Sequence, residues 1–235
     1  MRLGVVFAAF IGVALGVARA EPITYTISTR IDAVLTTTTV TTTVFDDALF
    51  TMKAVGDPDA VSIAPISGGP AGSFQIVQNG ISSSEMTLGG RALDAGGFQV
   101  FSSKAPDTGS GASFANLGIR TIGPDLRLVV DEPGPVNGSG TLGLYDYGLT
   151  SELGPVSGTG SLQQLGAQWL PVNPGYEVDL GGGEMLTINS SGSNIPVTFQ
   201  AVLGDGSATP VSEPAALIAL GFGALAFMRR FGALA

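Results

Sequence analysis

The chain of 235 residues contains no histidine and no cysteine. Without histidine there is no Ser-His-Asp triad, no imidazole proton shuttle and no His-metal site. Without cysteine there is no thiolate nucleophile, no thiolate zinc site and no disulfide framework. Carboxylates, hydroxyls and aromatic rings remain. Paired carboxylates suffice for glycoside hydrolysis, but the acids here sit mostly in turns or alternate outward on strands, as Glu177 and Asp179 do. Lys53 and Lys104 are the only lysines, and neither has a serine three residues before it, which disfavours a Ser-Lys dyad. Asp46-Asp47, Asp57 with Asp59, Asp131-Glu132 and Asp205 offer oxygens for calcium, Asp57 and Asp59 first among them. Calcium takes roughly six to eight oxygens. No D-x-D-x-D-G loop is present, and aspartate populates turns for backbone reasons alone. Trp169, Tyr145, Tyr147 and Tyr176 could stack on sugar rings, although these residue types more often complete a core. Residues 138–143 (GSGTLG) match G-x-G-x-x-G on paper, but Pro135-Val136-Asn137 precede them and no helix pattern follows, so the dinucleotide reading lacks its strand and helix. The residues assign no catalytic, cofactor-binding or metal-binding group. The chain reads as non-enzymatic, with a glycan-binding or glycan-hydrolysing surface as the alternative.

The elements that would position any of these groups are strands. Ile23, Tyr25, Ile27 and Ile31 alternate with Thr24, Thr26, Ser28 and Arg30, the period of a half-buried strand. The stretch 36–43 is threonine at every position except Val40, so it is β-branched throughout and reads as a strand pair. Phe50, Met52 and Ala54 alternate with Thr51 and Lys53. Phe74 and Ile76 flank Gln75, Leu126, Leu128 and Val130 alternate with Arg127 and Val129, and Tyr176, Val178 and Leu180 alternate with Glu177 and Asp179. Ile195, Val197, Phe199, Ala201 and Leu203 form a further run, which Pro196 at its second position assigns to a sheet edge or a late start. Turn residues separate the runs at 56–59, 67–70, 79–80, 89–90, 96–97, 181–183 and 190–193. Residues 103–118 and 131–160, rich in Gly, Pro and Ser, read as mobile loops, and a short helix is expected near 162–169. The segment 134–142 (GPVNGSGTL) recurs twenty residues later at 154–162 (GPVSGTGSL), which reads as two similar loops or strand starts in one sheet. No βαβ pattern is visible. The expected fold is all-β, one antiparallel β-sandwich or jelly-roll-like domain over residues 21–209.

The two ends carry a different signal. Met1-Arg2 precede an uncharged run over residues 3–17, and Ala18-Arg19-Ala20 close it with small residues at the two positions a signal peptidase reads. Residues 1–20 are thus expected to be a signal peptide, cut after Ala20. At the other end Pro210-Val211-Ser212-Glu213-Pro214 lead into residues 215–228, fourteen positions without a charge, followed by Arg229-Arg230 and five apolar residues. This tail, 210–235, resembles the PEP-CTERM sorting signal of exported bacterial proteins: Glu213-Pro214 match the family's core, with Ser212 at its first proline. The resemblance implies a short transmembrane helix and an exosortase-type membrane protease that cuts near the core. It also implies delivery from a transient inner-membrane position to the cell surface or extracellular polymer of a Gram-negative bacterium. Fourteen helical residues span about 21 Å, and counting to Ala235 about 31 Å, against a hydrocarbon core of about 30 Å. Arg229 and Arg230 would hold that end on the cytoplasmic side.

Charge narrows the partners. Arg2, Arg19, Arg229 and Arg230 are four of the ten basic residues, and Glu213 is the one acid of the nineteen within the ends. The body keeps six basic and eighteen acidic residues, a net charge of −12 against −9 for the whole chain. Such a surface disfavours nucleic acid and anionic membranes. The expected partners are signal peptidase, the exosortase-type protease and extracellular polysaccharide. The expected role is structural or adhesive.

Overall fold

The computed structural model describes residues 20–38, 41–66, 73–94, 96–105, 114–123, 126–131, 148–165 and 169–204. Fourteen strands fill most of them: β1 (Ile23–Thr37), β2 (Thr42–Gly56), β3 (Val61–Pro65), β4 (Phe74–Gln78), β5 (Ile81–Leu88), β6 (Arg91–Leu93) and β7 (Gly97–Ala105). The remainder are β8 (Phe114–Ile122), β9 (Leu126–Asp131), β10 (Leu153–Leu165), β11 (Trp169–Pro171), β12 (Tyr176–Gly181), β13 (Glu184–Ile188) and β14 (Ile195–Leu203). All join one antiparallel sheet, whose main path runs β3-β4-β7-β8-β9-β10-β14-β1-β2-β5-β6. β11 pairs with β10, and β12 reaches the sheet through β13. Among the described residues there is no helix, and so none long and apolar enough to cross a membrane.

Alternation in the sequence becomes burial in the sheet. Along β1 every odd position from Ile23 to Leu35 faces inward, and Ile23, Tyr25, Ile27, Ala33 and Leu35 are fully buried. Phe50, Met52 and Ala54 of β2 and Val197 and Phe199 of β14 meet them in the same core. Each fully buried large aliphatic side chain contributes roughly 1.5–3 kcal/mol relative to exposure. Of the threonine-rich stretch, Thr36 and Thr37 end β1 and Thr42 and Thr43 start β2, with Thr36 opposite Thr42. Two Gly-Gly turns act as the sequence suggests. Gly89-Gly90 (φ 57° and 82°) and Gly182-Gly183 (φ 60° and 82°) make two-residue hairpin loops, where positive φ at both positions matches the strand twist.

β1 changes partner midway. Residues 23–28 pair with β14, and residues 33–37 pair with β13 on the same side. Asp32 marks the change. Its carbonyl accepts from the backbone N–H groups of Asn189 (2.8 Å) and Ser190 (3.3 Å). On the other side the register with β2 shifts by one residue between Ile31 and Ala33, a β-bulge. Asp47 in that bulge has φ 44°, its N–H donates to Asp32 Oδ1 (2.8 Å), and Arg30 Nη1 donates to its carbonyl (2.6 Å) and carboxylate (3.0 Å).

Four sequence expectations are corrected. The run at 195–203 is a central strand, flanked by β10 and β1. Pro196 is tolerated because pairing with β1 begins only at Thr198, while Thr29 Oγ1 donates to the Pro196 carbonyl (2.7 Å). Residues 162–169 hold no helix where described: 162–165 end β10 and Trp169 starts β11, with Leu165 opposite Trp169. The two stretches read as loops supply strand: 103–105 and 114–118 belong to β7 and β8, and 153–160 to β10. The reason is close backbone approach. A Cβ on Gly160 would overlap the Val129 carbonyl oxygen, and one on Gly118 would lie 2.5 Å from that of Leu128. Of the internal echo, the second copy is therefore strand β10, and the first lies outside the described residues.

Candidate functional site

An open cleft of about 570 Å³ runs along β12, bounded by Asp94, Gly96, Ile122 and Gly123 across from residues 176–181. Period two builds it. Val178 and Leu180 turn into the core, while Glu177 and Asp179 face solvent. Tyr176 is half-buried against the core and also lines the cleft. Two of its carboxylates serve the backbone: Asp179 Oδ1 accepts from Gly181 N–H (2.9 Å), and Asp94 Oδ1 from Gly96 N–H (3.3 Å). Such bonds are how aspartate stabilises turns. The cleft thus offers acceptors and one phenol edge to a hydroxyl-rich ligand. Among the described residues no three acidic side chains come together as a metal cage. The first calcium candidates meet the same use, since Asp57 Oδ1 accepts from Asp59 N–H (3.0 Å).

A second cluster lies on the outer face of the sheet, away from the main core. Cross-strand register sets Gln99 of β7, Arg120 of β8, Arg127 of β9 and Gln163 of β10 in one row. The next row holds Phe101, Gly118, Val129 and Ser161, and the one beyond holds Ser103, Asn116 and Asp131. Phe101 and Val129 are fully buried and form a small apolar cluster with Val77. Arg120 Nε donates to Gln99 Oε1 (2.6 Å), as does its Nη2. Arg127 Nε donates to Gln163 Oε1 (2.5 Å), and its guanidinium lies 5.6 Å from the centre of the Phe101 ring. Burial lowers the pKa of both arginines. For Arg127, brought down to about 10, burial acts first and the charge of Arg120 second, with Asp131 opposing. Burial pushes the Asp131 carboxyl up, and Arg127 pulls it partly back.

Sequence reading missed this row, because its members come from four strands. The signal was present in Arg120 and Arg127, which stand equally far from Gly123-Pro124. Antiparallel pairing in the β8–β9 hairpin puts them face to face. Thr121 ties that hairpin, its Oγ1 donating to the Leu126 carbonyl (3.0 Å) and accepting from Leu126 N–H (3.2 Å).

Of the residues expected to be processed, Ala20 is half-buried just before Glu21-Pro22 lead into β1, and it lines a second cleft with Pro22, Gly56 and Gly80. Ala18, Ser212, Glu213, Pro214, Arg229 and Arg230 lie outside the described residues, as do Tyr145, Tyr147 and the motif at 138–143. Trp169 contributes its backbone to β11. No family model, curated protein or solved structure matches the chain.

Proposed function

We propose that the chain is an exported, non-enzymatic protein, sorted through its C-terminal tail to the cell surface or extracellular matrix, where its role is structural or adhesive. The observation that carries this reading is the order of the last 24 residues named above: Ser212-Glu213-Pro214, fourteen uncharged positions, then Arg229-Arg230, behind an acidic body. The residues at the other end support it, since an uncharged run and Ala18-Arg19-Ala20 stop just before β1 begins at Ile23. On this reading signal peptidase removes residues 1–20, and an exosortase-type protease cuts near Glu213-Pro214. The body is a β-sandwich of jelly-roll type, a reading supported by one core that draws Met86 and Leu88 of β5 together with Phe98 and Val100 of β7, strands far apart in the sheet order. Expression of the full chain in a Gram-negative host, with and without an exosortase-type protease, tests the proposal. Mass spectrometry of the surface protein is expected to find Glu21 first and the residues beyond Glu213-Pro214 missing only when the protease is present. An intact C-terminus on the surface protein overturns it.

The cleft along β12 favours a second reading, a glycan-binding surface. Tyr176 supplies an aromatic edge, and Glu177 and Asp179 supply acceptors for sugar hydroxyls. Titration with neutral oligosaccharides is then expected to give saturable binding that Glu177→Gln weakens. Equal binding by the variant refutes it.

A further inference from the structure

We infer that the paired guanidinium groups of Arg120 and Arg127 form a binding site for an oxyanion: the carboxylate, sulfate or phosphate group of an acidic ligand. The two arginines are direct cross-strand neighbours on β8 and β9. At such positions Cβ atoms stand about 4.5–5.5 Å apart, and like charges repel. The sheet nonetheless holds both in place. Gln99 and Gln163 orient them through amide oxygens, and Gln163 is itself anchored by donating to Ser161 Oγ (2.5 Å). An amide oxygen fixes the plane of a guanidinium without neutralising its charge.

The charge balance points the same way. Among the described ion pairs, Arg30 meets Asp47 and Arg91 meets Glu184, and Arg120 belongs to neither. Asp131 stands on β9 two residues from Val129, with its ionisation disfavoured by burial. Arg120 is thus a half-buried cation directly beside a second one, outside the ion pairs described. Both arginines remain partly exposed, so a ligand can reach them. An oxyanion between them replaces the repulsion with charge-assisted hydrogen bonds, and the guanidinium fork suits carboxylate, sulfate and phosphate geometry.

Thermal unfolding of the full chain tests the site, with sodium sulfate, sodium phosphate or sodium galacturonate added and sodium chloride at matched ionic strength as reference. At least one oxyanion is expected to raise the midpoint beyond chloride, saturably. Arg120→Gln is expected to weaken that response about tenfold or more, the cost of losing hydrogen bonds to a charged group. Arg30→Gln removes a cation elsewhere and is expected to leave the response intact. Should Arg120→Gln not fold, Arg127→Gln takes its place. A response to galacturonate alone assigns the anion to an acidic sugar, and a response to sulfate or phosphate alone assigns it to an inorganic anion. No response beyond chloride, or an equal response in the variant, overturns the inference.

Discussion

Replacing Tyr25 by phenylalanine isolates one buried hydroxyl. Tyr25 is fully buried, and its hydroxyl donates to the Leu149 carbonyl at 2.5 Å. Gln78 Nε2 donates to that hydroxyl (3.3 Å) and to the Asp57 carbonyl (2.7 Å), while Gly80 N–H donates to Gln78 Oε1 (2.9 Å). In the variant Gln78 keeps Asp57, so its loss is small. The Leu149 carbonyl loses its donor inside the core. Leaving a buried acceptor unsatisfied costs about 1–3 kcal/mol, and the ring stays, so no cavity term is added. With a urea m-value of about 2 kcal/mol/M, a loss near 2 kcal/mol moves the midpoint down by about 1 M at unchanged m. The assay is urea unfolding followed by far-ultraviolet circular dichroism. A second signature follows from pH. Burial raises the Tyr25 pKa above its ordinary 10.0, with the Gln78 hydrogen bond partly opposing. Above pH 10 the unfolded phenol ionises while the folded one keeps its proton. The contribution of Tyr25 is therefore complete below pH 10 and declines above it, by at most about 1.4 kcal/mol per pH unit. The gap between wild type and Tyr25→Phe should narrow as pH climbs past 10. A shift under about 0.3 M at pH 7, or a gap independent of pH, refutes the reasoning.

Leu149 is fully buried with φ 60°, so its side chain is wanted and its backbone is strained. Leu149→Ala should cost about 2–5 kcal/mol, and Leu149→Gly should cost less than Leu149→Ala, the reverse of the order in an ordinary strand, because glycine adopts positive φ freely; urea midpoints decide the order. Gly160→Ala should destabilise by more than about 2 kcal/mol, since its Cβ would overlap the Val129 carbonyl, whereas Gly182→Ala, in open space at φ 60°, should cost only about 1–2 kcal/mol. Asp131→Asn should stabilise at pH 7, because the native carboxyl is held above its ordinary 3.8; this gain should fade as pH falls through the raised value and be gone below 3.8, as read from thermal midpoints between pH 3 and 7.

What could be read from sequence was what a strand does alone. The alternation at 23–31 names its buried face correctly, and the Gly-Gly pairs locate two hairpin loops. What could not be read was what strands do to each other. Residues 154–162 look like a loop because glycine and proline weaken a lone strand, yet Gly158 and Gly160 are the residues that let β10 lie against β9. Pro196 looks like an edge signal because sequence does not show that β1 has left β14 for β13 at that level. Val129 alternates with the inward Leu128 and Val130, yet it too is buried, in a cluster with Val77 and Phe101 from two other strands. Glu177 and Asp179 of the cleft were visible as outward positions of a strand, but the row from Gln99 to Gln163 depends on register across four strands.

The pairing of β1 with β14 has a consequence in time. Thr24 bonds to Gly204 across 180 residues, so β1 must wait for β14, the first and last of the described strands. At roughly 5–20 residues per second the ribosome needs about 10–40 s to supply it. Throughout that interval β1 can pair with β2, and β2 with β5, but the margin of β1 that β14 takes stays bare. Closing so many distant contacts is also intrinsically slow. A chain built this way completes its central pairing only after residues 195–203 have been made, which suits any route that passes polypeptide through a narrow opening. It also makes products truncated before residue 195 the ones most prone to stick to each other.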